Sequence, residues 1–220
     1  MRTVAKIVWP IALVAGCAGA AGGGPATTRL APPPPSPSPS PTSSTLDEML
    51  LSDMAPHHGM PWSATRPLRW GDFHGVPRQG GDEAAKTAYG IYYAWKCRGR
   101  AFEFRAVAAF HTQESWVQPA VVSDSAEGPR TLGHEQTHFD IAEVYARRLR
   151  RHLRELGGGG GEPCAQSDAD LSAAAQRLLD EEKAMQRRYD AETAHGLRRR
   201  EQAAWETEIR RQLQLAGEGE

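Results

Sequence analysis

Two apolar stretches in the middle of the chain predict a pair of β-strands. Thr87 to Trp95 is rich in aromatic and β-branched side chains, and Arg100 to Phe110 alternates in part between apolar and polar positions. The residues between them, 96–99, are typical of a turn, so the simplest prediction is a β-hairpin. A third candidate strand, Leu68 to Phe73, precedes a turn-forming glycine and proline.

The hydrophobic pattern changes after Pro129 to a spacing of three and four residues, which predicts a long amphipathic helix. The glycine run at 157–161 ends this helix. A second helix is predicted from about Asp168 or Asp170 to Gly196, and a third from Arg198 to Leu215. Strands followed by helices indicate an α+β domain, with a small antiparallel sheet followed by three helices.

The first residues of the chain, 1–16, have the layout of an export signal, with basic residues, an apolar run and then small residues. They end in Val14-Ala15-Gly16-Cys17, which resembles the lipobox of bacterial lipoproteins. We therefore expect cleavage before Cys17 and lipidation of that cysteine. An ordinary secretory signal with a chance cysteine is the alternative. The expected location is the cell envelope, on the outer membrane, in the periplasm or at the cell surface, with the membrane reached through the lipid anchor.

Residues 17–45 are rich in proline, serine and glycine, a composition that cannot bury apolar surface and predicts an extended tether. We expect an irregular lead-in at 46–65 and one folded domain at 66–216, since roughly 170 residues beyond the tether suffice for a single core.

Charge and cysteine content narrow the expected partners and environment. The formal net charge is −1 in 220 residues, so nothing indicates a nucleic-acid partner. Apart from Cys17, the chain has two cysteines, Cys97 and Cys164. In an exported protein such a pair favours a disulfide, with two free thiols as the alternative.

The strongest chemical signal is His134-Glu135-Gln136-Thr137-His138 at the start of the first long helix. Two histidines four residues apart lie on one helix face, so both imidazoles can bind one zinc ion. Glu135 projects about 100° away from His134, where a carboxylate can accept a proton from zinc-bound water without binding the ion. This pattern is typical of zincins. Four other histidines have no partner at such a spacing, and we expect them on the surface or in turns: His57, His58, His74 and His111.

A third protein ligand is needed if the fourth position is to hold water. On the second helix, Glu192 shares a face with Met185 and could complete the site, whereas Asp190 is expected to point away from that face. His195 precedes Gly196, where the helix should end and freer geometry begins.

Two helical segments carry a family resemblance: His134 to Ile141 and Tyr189 to Gly196. They resemble a bacterial domain-of-unknown-function family of predicted secreted zinc-dependent proteases, and the likeness extends over about 66–213. The resemblance implies a zincin-like fold and makes His195 the preferred third ligand over Glu192. Tyr189 could donate its hydroxyl to a developing oxyanion, or it could pack in the core.

These observations predict a zinc metallopeptidase acting on peptide or protein substrates, with Glu135 activating the water. Two alternatives remain open at this point. The first is a non-catalytic zinc-binding envelope lipoprotein with an interaction role. The second is a zinc amidase or peptidase that acts on cell-wall peptides.

Overall fold

The computed structural model describes residues 45–77, 83–158, 164, 166 and 168–217. The predicted export signal, Cys17 and the tether up to residue 44 lie outside the described residues. Within the described part of the chain, no helix is both long enough and apolar enough to cross a membrane.

Within the described residues, five strands form two antiparallel sheets: β1 (Gly59–Pro61), β2 (Ala85–Lys86), β3 (Tyr89–Arg98), β4 (Ala101–His111) and β5 (Trp116–Val117). The larger sheet has the order β1-β4-β3, and the smaller one pairs β2 with β5. Strands β3 and β4 confirm the predicted hairpin. Its turn is the two-residue segment between Arg98 and Ala101, in which Gly99 has a left-handed φ of 61°.

Residues 46–65 differ from the expected irregular lead-in, because they hold helix α1 (Leu46–Met54) and strand β1. Thr45 and Glu48 form a capping box in which each side chain accepts a hydrogen bond from the other residue's backbone N–H. The buried face of α1 consists of Leu46, Leu50 and Met54. Three apolar residues are too few for the sequence pattern to identify a helix. The packing of α1 on the sheet stabilises it.

The candidate strand at Leu68 to Phe73 is instead a 3-10 turn at Trp70–Asp72. The carboxylate of Asp72 accepts hydrogen bonds from the Arg69 backbone N–H and the Arg66 guanidinium, and these bonds curl the chain.

Four helices follow the larger sheet: α2 (Pro119–Ser123), α3 (Glu127–Gly158), α4 (Asp168–Thr193) and α5 (Arg199–Gly217). The three long ones confirm the predicted helices, so the domain is α+β. Strand β3 is buried on both faces. Tyr93 and Trp95 belong to the main core with α3, while Tyr92 and Ala94 pack on α1. This two-sided burial explains why β3 is apolar throughout instead of alternating.

Cys97 and Cys164 are joined as a disulfide, with their Cα atoms 5.7 Å apart. The bridge links the end of β3 to the segment that precedes α4.

Candidate metal centre

Helix α3 brings the two histidines of the His-Glu-x-x-His segment together. Their Nε2 atoms are 3.1 Å apart, and their rings meet edge to face. His134 is buried, and His138 is only slightly more exposed. The rings therefore converge on one point, as their spacing on the helix predicted.

The opposite nitrogen of each ring faces a glutamine carbonyl oxygen. His138 Nδ1 is 2.6 Å from Gln186 Oε1, and His134 Nδ1 is 3.1 Å from Gln202 Oε1. A carbonyl oxygen only accepts hydrogen bonds, so each Nδ1 carries a proton and donates it. In the neutral ring, each Nε2 then keeps its lone pair for an ion.

Both glutamines are oriented by a carboxylate one helical turn away. Gln186 Nε2 donates to Glu182 Oε1 at 2.7 Å and to the carbonyl of His138 at 2.9 Å. Gln202 Nε2 donates to Glu206 Oε1 at 2.8 Å. Two parallel relays, His–Gln–Glu, thus set the orientation of the imidazoles. Sequence reasoning missed both, although buried polar residues on the inward face of α4 could have indicated the first.

Asp190 lies between the two imidazoles, which corrects the expectation that it points away. Its Oδ1 is 3.3 Å from His134 Nε2 and 3.0 Å from His138 Nε2. The expectation was wrong because it took the face of α4 that carries Met185 and Glu192 as the face turned toward the site. The buried stripe is instead Leu171, Ala175, Leu179, Glu182, Gln186, Tyr189 and Thr193. Asp190 follows Gln186 by four residues and so lies on the same side.

His195 is the outermost member of the cluster. Its Nδ1 is 3.5 Å from Asp190 Oδ1, and its side chain is 78% exposed. The donor atoms of His134, Asp190 and His195 all lie within 4.8 Å of one another. A metal ion can therefore reach the buried donors from the solvent side, past His195.

The backbone at His195 is strained. Ala194 and His195 have left-handed φ angles of 47° and 53°, and Gly196 follows at 80°. Non-glycine residues adopt this region at a cost, and such strain is concentrated at ligand sites. Helix α4 ends here, because Thr193 Oγ1 accepts from the Gly196 N–H and the Thr193 carbonyl accepts from Arg198. This turn swings His195 back toward Asp190.

The cluster is electrostatically coupled. Burial opposes the charge on Asp190, but the neighbouring imidazoles of His134 and His138 outweigh it and hold the pKa of Asp190 well below its usual value. Burial likewise opposes a charge on His138, yet Asp190 and Glu135 together raise the pKa of that imidazole. The site therefore favours a positive charge at the point where His134 Nε2, His138 Nε2 and Asp190 Oδ1 meet.

Glu135 is buried beside this cluster, with 4% of its surface exposed. Its Oε2 is buried and has no hydrogen-bond partner among the described residues. An unpartnered buried carboxylate oxygen is costly and calls for a proton donor such as a bound water.

Tyr189 and Glu192 were both considered as members of the site, and neither side chain points to the open side of the cluster. Tyr189 is fully buried and stacked on His134, and its hydroxyl donates to Gln202 Oε1 at 2.8 Å. This geometry favours the packing role over an oxyanion contact. Glu192, weighed as a third ligand, instead accepts hydrogen bonds from Arg188 and Trp205. Its carboxylate is thus bound outside the histidine cluster.

The donor set fits zinc in kind and in size. Zinc binds imidazole nitrogen and carboxylate oxygen at about 2.0–2.1 Å, so tetrahedral ligand atoms lie about 3.3 Å apart. The triangle formed by His134 Nε2, His138 Nε2 and Asp190 Oδ1 has edges of 3.0–3.3 Å. His195 adds a further nitrogen on the open side.

Part of the chain matches a known protein family. Residues 74–196 match the model of a family described as a bacterial protein of unknown function (DUF922). The matched part is more than half of the chain and contains all four donor residues together with Glu135. Searches of curated proteins and of solved structures each returned no match.

Proposed function

The chain belongs to this bacterial family of unknown function, and from its histidine cluster we propose that it is a zinc-dependent peptidase of the cell envelope. The proposal rests mainly on one observation: two Nε2 lone pairs and the Asp190 carboxylate meet in a triangle of the size that zinc requires. The proposed ligands are His134, His138 and His195, with Asp190 as a further donor in contact with them. The zincin-like assignment of the fold is part of this proposal.

When bound, zinc supplies Lewis acidity that activates a water and polarises a peptide carbonyl. Glu135 then acts as the general base. Its unpartnered Oε2 accepts a proton from the attacking water and passes it to the leaving amine. The Gln186 and Gln202 relays keep both imidazoles in the tautomer that leaves Nε2 free to bind the metal.

The predicted lipid anchor at Cys17 and the tether from 17–45 complete the proposal. They would hold the domain near a membrane, where exported peptides or proteins are the available substrates.

Glu135→Gln tests the chemistry. The substitution keeps the size of the side chain and removes the base, so we expect zinc content to remain and hydrolysis of unfolded protein and peptide libraries to be lost. Peptidoglycan fragments assayed in parallel separate a protein substrate from a cell-wall one. Full hydrolysis by the Glu135→Gln protein would remove this residue from the mechanism.

A second candidate function is supported by the number of donors. Asp190 lies within 3.5 Å of all three histidines, and a zinc ion bound by all four side chains would have no open position, as in structural sites. Such a protein would bind zinc in a non-catalytic envelope role. Visible absorption of the cobalt-substituted protein distinguishes the two, because an open position responds to added azide or a hydroxamate and a closed one does not.

A further inference from the structure

A second group of metal-binding side chains lies outside the histidine cluster of α3 and α4. It consists of His57, His111 and Glu114, whose donor atoms lie within 4.8 Å of one another. His57 follows α1, His111 ends β4, and Glu114 belongs to the turn after β4. The fold brings them together because β1 pairs with β4 and places Gly59 opposite His111.

We propose that His57, His111 and Glu114 form a second site for a divalent metal of the zinc class, which fastens the N-terminal segment to the sheet. Two imidazoles and one carboxylate are a common zinc donor set. This inference does not depend on the peptidase function, and His57 lies outside the part of the chain that matches the family.

The carboxylate of Glu114 faces both rings. Its Oε1 is 2.5 Å from His57 Nδ1, and its Oε2 is 3.6 Å from His111 Nδ1. The second distance is too long for a hydrogen bond, so the Nδ1 edge of His111 is open toward the carboxylate. Glu114 is 38% exposed, which leaves an approach for an ion and for a water as fourth ligand.

His111 is prepared as a ligand by its surroundings. It is 1% exposed, and its Nε2 lies 2.8 Å from the Tyr92 hydroxyl. A phenol oxygen can accept the Nε2 proton and direct the Nδ1 lone pair toward Glu114.

His57 must rotate to complete the site. Its ring stacks on that of His111, with centroids 4.5 Å apart and planes 17° apart, whereas ligands of one ion need their lone pairs to converge. This rotation would change the contact of His57 with Glu114 and give up the stacking on His111. On binding, the ion would take the place of the proton between His57 Nδ1 and Glu114 Oε1.

Zinc stoichiometry of the full-length protein tests the site. We expect two zinc ions per chain in the wild type and one after His134→Ala with His138→Ala. Adding His57→Ala or Glu114→Gln to that double variant should abolish the remaining ion and the zinc-dependent rise in melting temperature. His58→Asn is the matched control, since His58 is exposed and asparagine tolerates its left-handed φ of 47°.

The single variant His57→Ala provides the same comparison in an otherwise unchanged chain, in case the double variant does not fold. It should lose one zinc ion and keep the other. Zinc that survives His57→Ala and Glu114→Gln in full, or a wild type that binds only the ion lost with His134 and His138, would overturn this inference. If zinc is lost in the His57 and Glu114 variants but not in the His134 and His138 variant, the second site stands and the zinc centre of the proposed peptidase does not.

Discussion

Gly196 lies directly against the imidazole of His134. A Cβ atom added to Gly196 would fall 3.1 Å from the Cγ of that ring and 3.2 Å from its Nδ1. The ring is also stacked on Tyr189 and hydrogen-bonded to Gln202, so it has little room to move aside. The residue that ends the α4 turn thus also fixes one proposed zinc ligand.

Replacement of this glycine should therefore affect both stability and metal binding. Gly196→Ala combines a left-handed φ of 80° with the contact to His134, and we expect it to lower the unfolding free energy by about 3 kcal/mol. Gly99→Ala is the matched control: its φ is 61°, but apart from its chain neighbours no atom of the described residues lies within 4 Å of the added carbon. It should cost about 1 kcal/mol and leave zinc affinity unchanged. Equal zinc affinities in the two variants would contradict a role of Gly196 in holding His134.

The glutamine relays predict a loss of metal affinity without a change of ligands. Gln186→Met and Gln202→Met each remove the acceptor of one Nδ1 proton, so the ring can rotate or change tautomer. Zinc affinity, measured by competition with a chromophoric chelator, should fall about 10- to 100-fold.

Gln176→Met serves as the control for these variants, because Gln176 is on the same helix and bonds Asp180 at an exposed position. It should leave zinc affinity at the wild-type value. If the Gln176 variant weakened zinc binding as strongly as the Gln186 variant, the relay would not be the cause.

The ligand set predicts different outcomes for three neighbouring residues of α4 and its C-terminal turn. His195→Ala and Asp190→Ala remove donor atoms, so their loss of zinc affinity should exceed the roughly 100-fold upper limit typical of outer contacts. Glu192→Ala should retain zinc, because its carboxylate is bound to Arg188 and Trp205. Metal analysis after dialysis measures all three. Loss of zinc from the Glu192→Ala protein would instead support Glu192 as the third zinc ligand.

The disulfide should contribute strongly to stability. Cys97 and Cys164 are 67 positions apart in the chain, and loop-closure entropy predicts a loss of roughly 4 kcal/mol for Cys97→Ser with Cys164→Ser. Urea unfolding under oxidising conditions measures this difference. Added reductant should destabilise the wild type and leave the double variant unchanged, and equal sensitivity of both proteins would argue against the bridge.

The local elements were accessible from the sequence because local spacing determines them. The hairpin of β3 and β4 follows from two apolar runs around Gly99, and α3 follows from its amphipathic stripe. The same helical spacing predicted that His134 and His138 would converge. In each case the relevant residues are neighbours along the chain or one helical turn apart.

Contacts between distant segments were decided by tertiary structure alone. The inward face of α4, and with it the place of Asp190 between the imidazoles, depends on how that helix is rotated against α3. The pairing of β1 with β4 likewise brings His57 to His111, which no spacing in the sequence connects. The chain by itself determined the periodicity of each element and the chemistry on it. The rotation and pairing of those elements, which only the packed core sets, decided which side chains meet.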